Sequence, residues 1–191
     1  MTKQAPRTTS YTTITGAVVA LQPVSTTAMA LISRGMEKEL RARGLPLDPP
    51  TYESEALTIT GEHLRYPHTA ETLDTDDPQE TARNHAAWDA YEAARAELNR
   101  ATIERSMEYI LLEGVVQEIP EERSVWERRM RRLGVEVPED PDDLKVLYLT
   151  TEVLRTPEDA REAAFAILRL SIQGTDPEKV AAAEALFRSH A

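Results

Sequence analysis

Four times this chain sets a short oxygen-bearing residue, a proline and then acid in a row: Asp77-Pro78-Gln79-Glu80, Asp140-Pro141-Asp142-Asp143, Thr156-Pro157-Glu158-Asp159 and Asp176-Pro177-Glu178. Each has the chemistry of a helix start. The Asp or Thr oxygen accepts from a first-turn backbone N–H that has no partner inside the helix. Proline at the first helical position gives up an N–H that would go unused. The following carboxylates face the positive end of the helix dipole, and Glu80, Asp143 and Asp159 stand three residues after the cap, the spacing of a capping box. The C-terminal two thirds therefore reads as separately capped helices joined by short turns. The expected fold class is mainly α: a multi-helix bundle of about six helices with a small N-terminal β element, a strand plus a hairpin.

Three regions are expected. Residues 1–24 form a flexible arm and strand. The arm is polar to Tyr11, and Thr12–Leu21, with Ile14, Val18, Val19 and Leu21, has the β-branched content of a strand. No second strand adjoins it in sequence, so it is expected to pair with Tyr52–Ile59 or with a partner chain, which would make a homo-oligomer through the arm. Residues 25–77 hold a helix and a β-hairpin. Ser25 or Thr26 caps a helix running to about Arg43, with Ala28, Leu31, Ile32, Met36 and Leu40 on one face and Gly44 at its end. Leu45–Pro50 connects it to a strand pair over Tyr52–Tyr66, turning at Thr60-Gly61, and 67–77 reads as an exposed polar loop.

Residues 78–191 form the helical domain. Pro78–Gly114 has no internal Pro or Gly and reads as one long helix ended by Gly114 in a left-handed conformation. Its first half is rich in alanine around Trp88 and Tyr91, which predicts close packing against another helix. Its second half places Ile103, Met107, Ile110 and Leu111 at helical spacing. Shorter helices follow near Glu121–Leu133, stopped by Gly134, and near 141–155, 157–173 and 177–189. Trp126 is expected to anchor the first of these to its neighbours.

Charge is unevenly spread. The chain is −11 overall, yet residues 1–36 carry Lys3, Arg7 and Arg34 and no acid, leaving −14 on the rest. So acidic a body argues against a nucleic-acid groove. The concentrated basic run Arg128, Arg129, Arg131, Arg132 lies beside Glu121, Glu122 and Glu127 and reads as a solvated helix face laced with ion pairs. Without cysteine there is no disulfide framework, thiolate metal site or cysteine nucleophile. The longest apolar run near the N-terminus, Ala17–Leu21, is too short for a secretory core, and no stretch approaches the length of a membrane span. A soluble, cytosolic protein with neither membrane nor nucleic acid as partner is the expectation.

The chemistry-bearing residues are sparse. His63, His68, His85 and His190 include no helical His-x-x-x-His or Glu-x-x-His pair, and they read as surface histidines. The paired carboxylates Glu53/Glu55, Asp76/Asp77, Glu121/Glu122 and Asp142/Asp143 lie in turns and first helical turns, where capping explains them, whereas acid–base catalysis needs a desolvated cleft. No Gly-x-Ser-x-Gly elbow or phosphate-cradling glycine loop occurs. No catalytic, cofactor-binding or metal-binding residue is therefore assigned, and the chain is expected not to be an enzyme. The residues singled out for partner binding are Ile103, Met107, Ile110 and Leu111 on the long helix, with a core role as the competing reading, and Ile14, Val18 and Val19 on the N-terminal strand, by addition to a sheet edge.

Taken together, the string from Tyr52 to Phe187 carries a resemblance. Pro49-Pro50-Thr51-Tyr52 leads into a short strand pair with Gly61, then Tyr66-Pro67-His68. A helix around Trp88 ends at Glu113-Gly114-Val115. Ser124-Val125-Trp126, Leu133-Gly134-Val135-Glu136-Val137-Pro138, Tyr148 and the Thr156-Pro157-Glu158-Asp159 helix follow. This pattern resembles small acidic proteins of the tail-gene region of long-tailed bacteriophages, most nearly their tail assembly chaperones. The resemblance implies a non-catalytic role in the host cell cytoplasm: binding the long helical tape measure protein, keeping it soluble, and recruiting tail tube subunits. The alternatives are a structural subunit retained in the virion, in the tail or head–tail region, and a small acidic helical interaction protein unrelated to phages.

Overall fold

The computed structural model describes residues 8–57 and 63–172 and is mainly helical. The chain divides into two compact units, one built from Met1–Leu31 with Ile103–Ala191 and one from Ile32–Thr102. The second is thus an insertion in the sequence of the first, and both boundaries fall inside helices.

The first unit opens with an antiparallel hairpin, β1 (Thr9–Thr12) on β2 (Val18–Leu21), in register Thr9 to Leu21 and Thr12 to Val18. This corrects the single strand expected over Thr12–Leu21: residues 13–17 are a turn. Thr13 organises it, donating its N–H to the Ala17 carbonyl at 2.8 Å while its hydroxyl accepts from the Ala17 N–H at 3.0 Å. Gly16 takes φ +83°, a left-handed conformation that glycine adopts without a Cβ penalty. The strand therefore finds a partner in the preceding arm, while the described part of Tyr52–Ile59 pairs with β4 (His63–Pro67) instead. On its other edge Leu21 bridges Val115, and the Val116 N–H donates to the Ala20 carbonyl at 2.9 Å.

Helix α1 (Thr26–Ala42) is capped by the Ser25 hydroxyl, which accepts from the Ala28 N–H at 3.3 Å. It ends at Gly44 as expected, with Gly44 N–H on the Arg41 carbonyl and Leu45 N–H on the Leu40 carbonyl, the double closure that leaves Leu45 against Leu40. In the second unit β3 (Thr51–Leu57) pairs antiparallel with β4 (His63–Pro67), the register slipping between Glu53 and Leu57; the expected Thr60-Gly61 turn lies outside the described residues. A short 3-10 turn, Ala70–Thr72, occupies part of the stretch expected as loop.

Helix α2 (Pro78–Gly114) runs 37 residues unbroken. Asp77 caps it, accepting from the Gln79 N–H at 2.8 Å. Its alanine-rich first half does not pack as expected: Ala94 is buried with Leu40 and Leu47, but Ala86, Ala87, Ala90, Ala93 and Ala96 are exposed. Alanine there reflects helix propensity rather than close packing among the described residues.

Back in the first unit, α3 (Ser124–Arg132) closes at Gly134, and α4 (Pro141–Tyr148) starts from Asp140, whose carboxylate accepts from the N–H groups of Asp142 and Asp143. α4 continues as a π-helical turn, Leu149–Val153. α5 (Pro157–Ile172) starts from Thr156, whose hydroxyl accepts from the Asp159 N–H at 3.0 Å. These are five α-helices among the described residues; the sixth expected, near 177–189, lies outside them.

α5 is the centre of this unit. Its run Ala163, Ala164, Phe165, Ile167, Leu168 is buried with Val19, Leu21, Ile110, Leu111, Val115, Leu149 and Leu154. A helix apolar on most sides has to be enclosed, and each fully buried leucine or isoleucine here contributes ~1.5–3 kcal/mol by leaving water. A smaller cluster forms around Trp126, Met130 and Leu144. As expected, Trp126 anchors α3: its indole N–H donates to the Thr151 hydroxyl at 3.0 Å and its ring meets Tyr148 edge-on at 5.3 Å.

Candidate functional site

The apolar residues singled out for partner binding separate into core and surface. Ile110 and Leu111 are fully buried, Met107 packs against the same core, and Ile103 is half-buried. Val19 is core as well. That corrects the long-helix docking face at Met107, Ile110 and Leu111, which belong to the core shared with α5, the hairpin and the end of α4. Ile14 and Val18 are exposed, at 66% and 70%. They sit on the hairpin's turn and outer face because strand alternation sends Val19 and Leu21 inward.

The end of α2 shows how tightly this core closes. Gly114 is not left-handed, which corrects the expected cap; a Cβ on it would lie 2.6 Å from Ile167 of α5. Glycine suits that position because the Ile167 side chain fills the space a Cβ would take, not for its dihedral freedom. The last carbonyls of the helix find three donors on two residues: Lys145 Nζ to Leu112 at 2.7 Å, Gln22 Nε2 to Glu113 at 2.7 Å, and the Gln22 backbone N–H to Gly114 at 2.8 Å. A cation at that end also suits the helix dipole.

Asp159 fastens the hairpin to α5. It is fully buried and accepts from the Tyr11 hydroxyl at 2.9 Å, the Ile14 N–H at 2.9 Å and the Thr156 hydroxyl at 3.0 Å. Burial pushes its carboxyl up, but the donations from Ile14, Tyr11 and Thr156 outweigh that and hold it below the ordinary carboxylate range. The Tyr11 phenol is pushed up to about 12, by burial first and then by Asp159. Sequence reading explains Asp159 as a capping residue; that the same carboxylate grips a strand from the N-terminus depends on a contact between residues far apart in the chain.

In the second unit, every described side chain of the β3–β4 ribbon is exposed, including Tyr52, Leu64 and Tyr66. Tyr52 and Tyr66 are cross-strand partners with ring centroids 6.1 Å apart, and Tyr52 also meets His68 at 4.9 Å. His68 is buried, with Nδ1 2.9 Å from the Thr72 carbonyl. It is thus no surface histidine but the post at the ribbon's base, since its backbone N–H also donates to the Pro50 carbonyl. His85 pairs with Asp74 at 2.8 Å in the open. Among the described residues no group of three or more histidines and carboxylates is placed to hold a metal ion.

A third surface was not anticipated. Between the end of α3 and the π-turn lies a hollow of about 480 Å³ lined by Met130, Leu133, Val135, Thr150, Arg129 and Arg155, among others. Arg129 forms an ion pair with Glu152. Arg155 stands at φ +59°, the one non-glycine residue in the left-handed region among those described, and its Nε donates to the Glu152 carbonyl at 2.8 Å. The basic run on α3 was the available signal; the π-turn that faces it was not legible in sequence.

No family model, curated protein or solved structure matches this chain. Among the described residues no helix is long and apolar enough to cross a membrane.

Proposed function

We propose that this chain is a non-catalytic protein of phage tail morphogenesis, a tail assembly chaperone that binds the tape measure protein and tail tube subunits in the host cell cytoplasm. The binding role is carried by one observation: the β3–β4 ribbon holds Tyr52, Leu64 and Tyr66 in the open. A two-stranded ribbon is marginal in water by itself, and tyrosines held outward on one are suited to covering a partner's apolar surface. The tape measure protein as occupant comes from the sequence pattern around Trp88, Trp126 and the capped helices. A long tape helix exposes apolar stripes that aggregate unless covered, and a net charge of −11 keeps such a complex soluble.

Co-expression with the tape measure protein of the same gene neighbourhood tests this. The tape protein should partition to the soluble fraction with the wild-type chain, and less so with Tyr52→Ser/Tyr66→Ser. Equal insolubility with and without the chain removes the chaperone reading. Mass spectrometry of purified particles separates the alternative, because stoichiometric presence in the virion marks a retained structural subunit.

A further inference from the structure

We infer that the hollow beside the π-turn is a binding site for an acidic, leucine-bearing segment of a partner protein. Its floor is apolar: Met130, with Leu133 at 68% exposure and Val135 at 37%. Its charged lining residues are Arg129, Glu152 and Arg155. Glu127 is taken by Arg123 and Arg131, and Glu152 by Arg129. Of the arginines that line the hollow, Arg155 is left with no carboxylate among the described residues and spends only its Nε, on the Glu152 carbonyl; Arg128, whose Nε goes to the Ser124 carbonyl, lies on α3 outside the lining. The basic run is therefore only in part the ion-paired face that its sequence suggests. In a body of strong negative charge, the Arg155 guanidinium without a counter-charge, beside apolar side chains, is complementary to a carboxylate next to an apolar side chain.

Arg155 makes the case specific. It ends the π-turn in a conformation where glycine is the cheapest residue and a side chain costs stability. Strain of this kind collects at functional sites, as π-turns do. The Nε bond to Glu152 fixes the guanidinium beside the hollow and leaves its Nη donors unspent for a grip on a carboxylate. Nothing in this site requires the partner to be a tail protein.

The test uses the full chain and a short fluorescein-labelled peptide of alternating glutamate and leucine, followed by fluorescence anisotropy. The wild type should bind it, more weakly as salt rises. Arg155→Gly should melt no lower than the wild type, since it relieves the left-handed strain, while binding about tenfold or more weakly. Arg155→Lys should fall between the two, keeping charge but losing the fork. Several outcomes overturn the proposal: no binding by the wild type; unchanged affinity in Arg155→Gly; equal binding of a peptide with glutamine in place of glutamate; or stronger, Arg155-dependent binding of oligothymidylate, which would make nucleic acid the occupant. Self-association that light scattering shows to vanish in Arg155→Gly would make a second copy the occupant and overturn it equally.

Discussion

At the scale of single residues, Gly114 and His68 show how a contact changes a residue's meaning. Gly114 has the place of a helix-ending glycine, but its constraint is the Ile167 side chain 2.6 Å from where a Cβ would stand. Gly114→Ala should therefore cost ~1–3 kcal/mol by overpacking. Ile167→Ala should cost ~2–5 kcal/mol by leaving a cavity. The double variant should cost clearly less than their sum, because the methyl added at 114 moves into the space vacated at 167. Chemical denaturation of the three variants measures this coupling, and strict additivity would show that the two sites do not touch. His68 reads as a surface residue in sequence, yet its ring is buried and bonded to Thr72. His68→Ala should cost ~1–3 kcal/mol, since the Thr72 carbonyl loses its partner, whereas His85→Ala, in the open, should be near neutral by the same measurement.

At the scale of elements, the caps were legible because they are local: an oxygen, a proline and a following acid within four residues suffice, and Asp77, Asp140 and Thr156 all accept first-turn N–H groups. Asp140→Ala should cost ~0.5–2 kcal/mol, with Asp140→Asn nearly neutral, in thermal melts followed by circular dichroism. The N-terminal hairpin was half legible. Ile14, Val18 and Val19 announce a strand, but its partner is a short run, Thr9–Thr12, whose polar composition reads as an arm. Because Val19 and Leu21 belong to the main core, deleting residues 1–24 should unfold or strongly destabilise the first unit rather than shift its oligomeric mass. Light scattering together with a melt separates those outcomes; a smaller particle of unchanged melting temperature would restore exchange between chains.

At the scale of the whole molecule, the hairpin's attachment to α5 makes stability depend on pH at both extremes. Asp159 has its pKa lowered on folding, so its contribution is present above its unfolded value near 4 and is lost as pH falls through the folded value. Tyr11 has its pKa raised, so its contribution is present below about 10 and is lost as pH climbs toward about 12. The melting temperature should be flat between these limits and fall outside them; Tyr11→Phe should flatten the alkaline limb, and Asp159→Asn should lower the plateau while making the acid limb shallower. A wild-type acid limb retained in Asp159→Asn would assign it to other carboxylates. The sequence by itself determined the mainly helical class, the starts at Asp77, Asp140 and Thr156, the stops at Gly44 and Gly134, and the anchoring role of Trp126, because caps, left-handed glycines and large aromatics act within a turn or two of chain. Only the tertiary structure decided which apolar stripe was core, why Gly114 is glycine, what Asp159 holds, and that Arg129 and Arg155 face one hollow. Each of those depends on atoms brought together from distant parts of the chain, and hydrophobic periodicity shows that a face will be buried without showing what buries it.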